Sequence, residues 1–263
     1  MSKICRDNCI DKLLSGSCIL AVFALLLLTS CGKISGHEAE DMTGARDESS
    51  SESHVDFDQL KKQNEDIFAW IYVPDTGIDY PVCQSLEGDD FYYISHNALR
   101  QEDPKGAIYT ECANLKNMCD FNEVLHGSSP SDGSMFADVQ KFLDRKYFDE
   151  HEYIYIYTEG NALIYMTFAA FVREDIRLLA QYDFTYASGC QAFLDEIYEN
   201  KSMNKIVRNG WEKQVEPENF IITLTTHFAE DPSKQVVVVG CLVGDVRGEI
   251  DRVMDYSDPE SEE

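Results

Sequence analysis

The sequence predicts a mainly β domain, a mostly antiparallel β-barrel with helical insertions. Short β-like runs follow one another along the chain, among them "GAIYTE", "NEVLHG", "YIYIYT", "FIITLTT" and "QVVVVGCLV". Only a few helical patterns separate these runs, without the regular alternation of strand and helix that a parallel sheet requires. The 263 residues are 44% hydrophobic and 11% aromatic, which is the composition of a globular protein.

The N-terminus is predicted to be an export signal covering residues 1–30. Lys3, Arg6 and Lys12 precede the apolar run "CILAVFALLLLTSC", which is short for a membrane span. The end of this run, "LTSC", resembles the lipobox of bacterial lipoproteins. The resemblance implies cleavage before Cys31 and a diacylglyceryl group on its sulfur, which would hold the protein at the extracytoplasmic face of the cell membrane. The alternative is a plain signal anchor with an incidental cysteine.

Two further segments are too polar to fold. Residues 31–55 carry many charges and few apolar groups, and they predict a flexible tether after the lipidated cysteine. Residues 251–263, which end in "DYSDPESEE", predict an acidic disordered tail. The folded domain is therefore predicted at residues 56–250. The net charge of -26, from 48 acidic and 22 basic residues, argues against a nucleic-acid partner and favours solubility or basic partners.

The elements of the domain can be predicted in order. "FDQLKKQNEDIFAWIYV" begins as an amphipathic helix, with Phe57, Leu60 and Ile67 near one face, and becomes a strand at "AWIYV". After the turn signal "PDTG", "GIDYPVCQ" is a second strand. Further strands are predicted at "GAIYTE", "NEVLHG", "YIYIYT", "ALIYMTFAAFV", "FIITLTT" and "QVVVVGCLV". "MFADVQKFL" and "GCQAFLDEIYEN" have the pattern of short helices.

The cysteines beyond Cys31 are odd in number, so they cannot all pair. They are Cys83, Cys112, Cys119, Cys190 and Cys241. Cys112 and Cys119 flank a loop that a disulfide would bridge, and free buried thiols are the alternative. Cys241 lies in an apolar run and is expected to be a small core residue. No spacing is that of a zinc site.

Several sequence blocks, taken in order, resemble the class B sortases. The blocks are "FAWIYVPDTGIDYPVCQ", "FYYISHNALRQEDPKGAIYTE", "NEVLHGSSPSDGSMFADVQKF", "YIYIYT", "IITLTT" and "KQVVVVG", and they cover residues 57–243. That family consists of membrane-tethered cysteine transpeptidases of Gram-positive bacteria. The resemblance implies a closed eight-stranded β-barrel with an N-terminal helix and short inserted helices, and it implies no cofactor.

The catalytic positions of the family fall on other residue types in this chain. In the family a cysteine thiolate attacks the sorting peptide, a histidine protonates the leaving amine, and an arginine binds the developing oxyanion. Aligned without gaps, "VLHGSS" places His126 at the family tyrosine and Ser128 at the family histidine. "TLTTH" places His227 at the nucleophile, and "KQVVVVG" places Gln235 at the arginine.

The leading hypothesis is a pseudosortase, a lipoprotein that has lost transpeptidation but keeps a peptide-binding groove. Its partners would be a sorting-signal peptide or surface protein, or an active sortase that it regulates or scaffolds on the same membrane. His126, Thr226 and Lys234 are candidate binding residues. Because Lys234 directly precedes Gln235 on a strand, the two side chains are expected on opposite faces.

Two alternatives remain open. Ser128 and His227 would form a hydroxyl–base pair with exchanged roles, which is the chemistry of a hydrolase or transpeptidase. His126 and His227 would instead supply two nitrogen ligands to a metal ion, with Glu111 or Asp132 nearby.

Overall fold

A computed structural model describes residues 55–257. The predicted signal, Cys31, the tether up to residue 54 and residues 258–263 of the predicted tail lie outside the described residues. In the part of the chain that the structure covers, no helix is long and apolar enough to cross a membrane.

Strands dominate the described region. They are β1 (Ile67–Tyr72), β2 (Asp79–Cys83), β3 (Ile108–Tyr109), β4 (Asn122–His126), β5 (Tyr153–Thr158), β6 (Asn161–Glu174), β7 (Ile206–Val207), β8 (Ile221–Phe228) and β9 (Asp231–Asp245). The helices are α1 (Phe57–Gln63), α2 (Arg145–Glu150), α3 (Leu178–Gln181) and α4 (Ala187–Glu199), with 3₁₀ turns at Tyr92–Ile94 and Ala137–Leu143.

The strands form a closed barrel. Their order is β5-β1-β2-β3-β4-β8-β9-β6-β7, and an additional pairing of β5 with β6 closes eight of them into a ring, with β7 outside on β6. The β2–β3 and β4–β8 pairs are parallel, whereas the remaining pairs are antiparallel. The predicted mainly β, eight-stranded barrel with helical insertions is thus confirmed.

The barrel has a core on each side of its wall around β9. Val236 and Val238 point into the barrel interior, whereas Val237, Val239 and Cys241 pack outside it against α4 and its neighbours. Burial on both faces explains why this strand reads as a continuous apolar run rather than an alternating one. It also makes Cys241 a core residue, as its sequence context predicts.

The first helix is shorter than the apolar pattern suggests. Asp56 caps α1 by accepting a hydrogen bond from the backbone N–H of Gln59 at 2.9 Å. The helix ends at Gln63 because Asn64 is extended. Ile67 therefore belongs to β1 and not to the apolar face of the helix, which corrects the sequence-based prediction.

The chain remains packed on the domain beyond β9. Asp255 forms an isolated bridge with Tyr186, and its carbonyl accepts a 2.7 Å hydrogen bond from the backbone N–H of Ala187. Ordered contacts thus extend past residue 250, where the domain was predicted to end.

Candidate functional site

One edge of the barrel brings the predicted site residues together. β4 and β8 run in parallel, so their C-terminal ends lie at the same edge, and His126 is paired with Thr225 in the sheet register. β9 begins beside the end of β8, where His227 is paired with Gln235. A cavity of about 290 Å³ opens here, lined by Tyr93, Ile94, Pro104, Lys105, Ala107, Tyr109, His126, Gly127, Ser128, Asp175, Thr225, Thr226, His227 and Gln235.

His227 presents its imidazole at the surface of this cavity. Its side chain is 72% exposed, and Nδ1 lies 3.1 Å from a carboxylate oxygen of Asp175, the residue that follows β6. The backbone of the strand end is fixed from the other side. The Gln140 side chain donates to the His227 carbonyl at 2.6 Å and accepts from the backbone N–H of Ala229 at 3.3 Å. His227 is therefore held at its backbone and paired with a carboxylate at its ring.

Gln235 is buried, and its side chain connects two parts of the site by hydrogen bonds. The residue is 5% exposed. Its amide oxygen accepts a short hydrogen bond from the Thr225 hydroxyl. Its amide nitrogen donates to the carbonyls of Glu174 and Ile176 at 3.2 and 2.9 Å. The amide nitrogen is thus engaged by the end of β6 and by the loop that follows it, which carries Asp175.

Ser128 is held away from a base. Its hydroxyl donates to the carbonyl of Lys105 at 2.6 Å, and its own carbonyl accepts from the backbone N–H of Phe136 at 2.8 Å. The preceding Gly127 leaves no room for a side chain, because a Cβ there would lie 2.6 Å from side-chain carbons of Ile108 and Phe136. In the described structure no hydrogen bond joins Ser128 to His227, although both line the same cavity.

His126 lines the cavity and also belongs to a partly buried charge network. Its Nε2 lies 3.0 Å from a carboxylate oxygen of Glu111, and its ring stacks on Tyr109 with centroids 5.1 Å apart. The other oxygen of Glu111 is bound by the guanidinium of Arg177, which also donates to Asp90 at 2.6 Å. The network ties β4, the loop after β3 and the loop after β6 together.

Burial and hydrogen bonding act in opposite directions on Glu111. Burial by itself would raise the pKa of this carboxyl, but the hydrogen bonds from His126 and Arg177 outweigh it and lower the pKa below its ordinary value. Glu111 is therefore a buried carboxylate that remains ionised because two donors face it.

Thr226 and Lys234, both candidate binding residues, have different surroundings. Thr226 is 4% exposed and lines the cavity, yet its hydroxyl has no hydrogen-bond partner among the described residues. Lys234 lines a different depression, on the side of α4, and its Nζ lies 3.4 Å from Asp231. The cation that does line the cavity is Lys105, which pairs with Asp132 at 2.5 Å.

The comparisons with known proteins agree with this architecture. No protein-family model matches the sequence. The chain is 28% identical to sortase B of Staphylococcus aureus over 200 residues, 74% of this chain and 78% of the relative. It is 38% identical to sortase B of Listeria monocytogenes over 92 residues, which span 35% of this chain and 37% of that protein.

Solved structures extend the likeness to three dimensions. A mutant form of Clostridium perfringens sortase B superimposes with a TM-score of 0.64 at 27% identity, covering 72% of this chain and 86% of that one. A Staphylococcus aureus sortase B–substrate complex gives 0.61 at 26% identity, covering 71% and 83%. The sequence relatives and the solved structures together support membership of the class B sortase family.

Within residues 55–257 the cysteines lie apart from the cavity. None of the cysteines in that range lines the cavity, and all of them are free thiols, so the loop between Cys112 and Cys119 is not bridged. Cys112 is exposed and Cys119 half-buried, so the alternative of buried thiols does not hold for these two.

The ionisation of the thiols also argues against a nucleophile. Burial, reinforced by the charge of Asp66, raises the pKa of Cys83 to about 12, and burial raises that of Cys190 to about 11. Burial raises the pKa of Cys112 and Cys119 as well. A catalytic cysteine requires the opposite shift, because the thiolate is the reactive form.

The metal alternative gains no support from the geometry. His126 and His227 each face a different carboxylate, Glu111 and Asp175 respectively. Among the described residues there is no group of three or more histidine, cysteine, aspartate or glutamate side chains that could hold a metal ion.

Sequence reasoning missed Asp175, Arg177 and Gln140. All three make their site contacts across more than fifty positions of the chain, as in the pair of Arg177 and Glu111, 66 residues apart. The charged cluster "REDIR", which spans the end of β6 and the start of the loop, is the one signal in the sequence that points to this loop.

Proposed function

We propose that this chain is a membrane-anchored, extracytoplasmic class B sortase-like protein that binds sorting-signal-type peptides without cysteine transpeptidation. Its role in the cell would be to present, regulate or scaffold the anchoring of surface proteins, alone or beside an active sortase. The observation that supports it most is the cavity at the ends of β4 and β8, in which an exposed imidazole and no thiol occupies the end of β8.

The chemistry of the cavity argues against a stored acyl intermediate. An imidazole cannot form the thioester that a cysteine transpeptidase passes to an amine. The amide nitrogen of Gln235 already donates to two backbone carbonyls, those of Glu174 and Ile176, so it is not free to bind an oxyanion. Loss of a single oxyanion donor typically costs about 10²–10³ in rate, and here the nucleophile is replaced as well.

The walls of the cavity remain suitable for an extended peptide. Tyr93, Ile94, Ala107 and Tyr109 supply apolar and aromatic surface, and Lys105 adds a cation at the rim. The structural relatives include a sortase B–substrate complex, and this supports a sorting-signal-type peptide as the ligand of this chain. A lipid on Cys31 would place the groove close to the membrane surface, where surface proteins emerge.

One observation favours a second candidate, a hydrolase or transpeptidase that uses Ser128 and His227. The contact between His227 and Asp175 is the base–carboxylate half of a catalytic triad. The Ser128 hydroxyl would have to leave the Lys105 carbonyl and reach the ring. Catalytic hydrogen bonds often form only when substrate is bound, so the unliganded geometry leaves this candidate open to experiment.

The test combines binding and turnover on the full chain in a non-ionic detergent. Fluorescein-labelled sorting-signal-type peptides are titrated by anisotropy, and the same mixtures with amine acceptors are analysed by mass spectrometry. Variants His227→Ala and Ser128→Ala are compared with His151→Ala, which removes a half-buried histidine outside the cavity. Saturable binding without cleavage or amide exchange is the expected result.

Three outcomes would contradict the proposal. Cleavage that is lost in both His227→Ala and Ser128→Ala but kept in His151→Ala would establish the second candidate instead. If no peptide binds, the groove does not recognise sorting signals. Binding that is equal in all variants would place the peptide outside this cavity and overturn the assignment of the site.

A further inference from the structure

A second cleft lies on the outer face of the barrel, between α1 and the β1–β2–β5 part of the sheet. Its volume is about 570 Å³, and it is lined by Val55, Asp56, Gln59, Leu60, Gln63, Trp70, Tyr72, Asp79 and Tyr157. None of these residues lines the candidate site at the ends of β4 and β8. Whatever this cleft binds is therefore independent of the proposed function.

The aromatic wall of the cleft follows from strand periodicity. In "YIYIYT" the isoleucines Ile154 and Ile156 fill the barrel interior, so the intervening tyrosines stand on the outer face. Trp70 is paired with Tyr157 in the register of β1 and β5, and Tyr72 is paired with Tyr155. These rings are half-buried, because α1 covers only one side of the stripe and leaves the cleft open.

The charged side chains that line the cleft are both carboxylates, Asp56 and Asp79. Asp79 accepts a 2.6 Å hydrogen bond from the indole N–H of Trp70 with one carboxylate oxygen. Asp56, the cap of α1, also lines the cleft. Among the described residues that line the cleft there is no lysine, arginine or histidine. The pKa of Tyr157 is raised, first by burial and then by the charges around it, Asp79 included.

Three aromatic rings, two carboxylates and no resident cation are the arrangement that attracts an organic ammonium ion. The face of an indole or phenol ring is negative, and a cation within about 6 Å of the ring centre is attracted to it. A carboxylate beside the rings adds a charge partner, and the acidic chain as a whole repels anionic ligands. We propose that this cleft binds the lysine side chain of a basic polypeptide partner.

The polypeptide just upstream is a poor competitor for the same place. Residues 32–54 carry Glu38, Glu40, Asp41, Asp47, Glu48 and Glu52 against only Lys33 and Arg46. Charge complementarity therefore favours a partner in trans over the acidic segment of this chain.

Trp70 makes the proposal directly measurable. The chain has two tryptophans, and the other, Trp211, is 3% exposed and stacked on Phe168. In the full chain carrying Trp211→Phe, the emission therefore reports on the cleft. The probes are Nα-acetyl-lysine methylamide and its neutral counterpart Nα-acetyl-norleucine methylamide, which has the same carbon chain without the amine.

The expected result is a saturable change in Trp70 emission with the lysine probe and about tenfold weaker binding of the norleucine probe. Asp79→Asn keeps an oxygen that accepts from Trp70 but removes the charge, and it should weaken the lysine probe by about threefold to fivefold. The matched control is Asp58→Asn, which removes an exposed charge from α1 outside the cleft and should change nothing.

Equal affinity for the two probes would overturn the proposal, since it would show an apolar cleft without a cation preference. An unsaturable response would do the same. So would an Asp79→Asn variant that binds the lysine probe as tightly as the Asp58→Asn control. If Asp79→Asn fails to fold, Tyr157→Leu takes its place, and an unchanged lysine affinity in that variant counts equally against a ring-lined site.

Discussion

Replacing Gln235 by leucine tests whether this residue, which aligns with the arginine of class B sortases, holds the loop after β6 in place. The leucine side chain is similar in size, but it loses the three hydrogen bonds that Gln235 makes to Thr225, Glu174 and Ile176. Thr225 is buried, so its hydroxyl is left unsatisfied at a cost of about 1–3 kcal/mol. Glu174 and Ile176 are exposed, so water can reach their carbonyls and each costs about 0.5–1 kcal/mol.

The sum is a loss of about 2–5 kcal/mol in the free energy of unfolding, measured by urea denaturation. Hydrogen exchange of residues 174–177 should become faster in the same variant, because the loop loses its anchor. Gln235→Glu separates the two contributions, since it keeps an acceptor for Thr225 but cannot donate to the carbonyls. Its loop should exchange as fast as that of the leucine variant.

The matched control is Gln191→Leu, an exposed amide on α4 that bonds only to Asp195 one turn away. Its cost should stay within about 0.5 kcal/mol. If Gln235→Leu costs no more than this control, and the exchange of residues 174–177 is unchanged, then the amide does not hold the loop. The argument that Gln235 has no donor free for an oxyanion would fail with it.

Three further predictions concern buried polar groups, namely Glu123, Thr226 and Glu111, the last of which is tested through its partner Arg177. Burial, reinforced by the charge of Asp120, raises the pKa of Glu123 well above its ordinary value of 4.5, so the folded state keeps a proton that the unfolded chain releases as pH rises. Relative to wild type, the stability of Glu123→Gln should therefore rise by up to about 1.4 kcal/mol per pH unit, from pH 4.5 up to the folded-state pKa of Glu123. Urea titrations at pH 5, 6 and 7 measure this difference. A difference that does not change with pH would contradict the prediction. Thr226→Val should raise the free energy of unfolding by about 1 kcal/mol, because it replaces an unpartnered buried hydroxyl by a methyl group; a decrease in the same assay would mean that the hydroxyl has a partner. Arg177→Met should cost about 1–3 kcal/mol, towards the lower value because the arginine side chain is 41% exposed. The lowered pKa of Glu111 gives stability that is present above pH 4.5 and is lost as pH falls through the folded-state value. The Arg177→Met variant should therefore lose stability at a higher pH than wild type, in acid titrations followed by circular dichroism. An unshifted acid midpoint would refute the role of the guanidinium.

Local periodicity was enough to predict the barrel strands. The alternation of "YIYIYT" assigns one face to the core, and the continuous apolar run around Val237 requires burial on both faces. It was not enough for the short elements β7 and α3, or for the end of α1. These are too short to show a period, and their bounds depend on hydrogen bonds to residues outside them.

The sequence by itself determined the order in which the strand motifs follow one another. From that order it predicted that one edge of the barrel brings together His126, Ser128, His227 and Gln235. It could do so through the resemblance to class B sortases, which implies that the positions of Ser128 and His227 face each other; in the structure, the parallel pairing of β4 with β8 brings the two strand ends to the same edge.

Only the tertiary structure decided what each of these side chains binds. The side chain of Gln235 hydrogen-bonds to Thr225 and to a loop. The ring of His227 pairs with Asp175, and the carboxylate of Glu111 pairs with His126 and Arg177. Hydrogen-bond partners of this kind come from chain segments far apart in sequence, and no pattern of hydrophobicity or spacing encodes them. A sequence specifies which groups arrive at a site, whereas their protonation, exposure and partners depend on the packed neighbours that compete for each donor and acceptor.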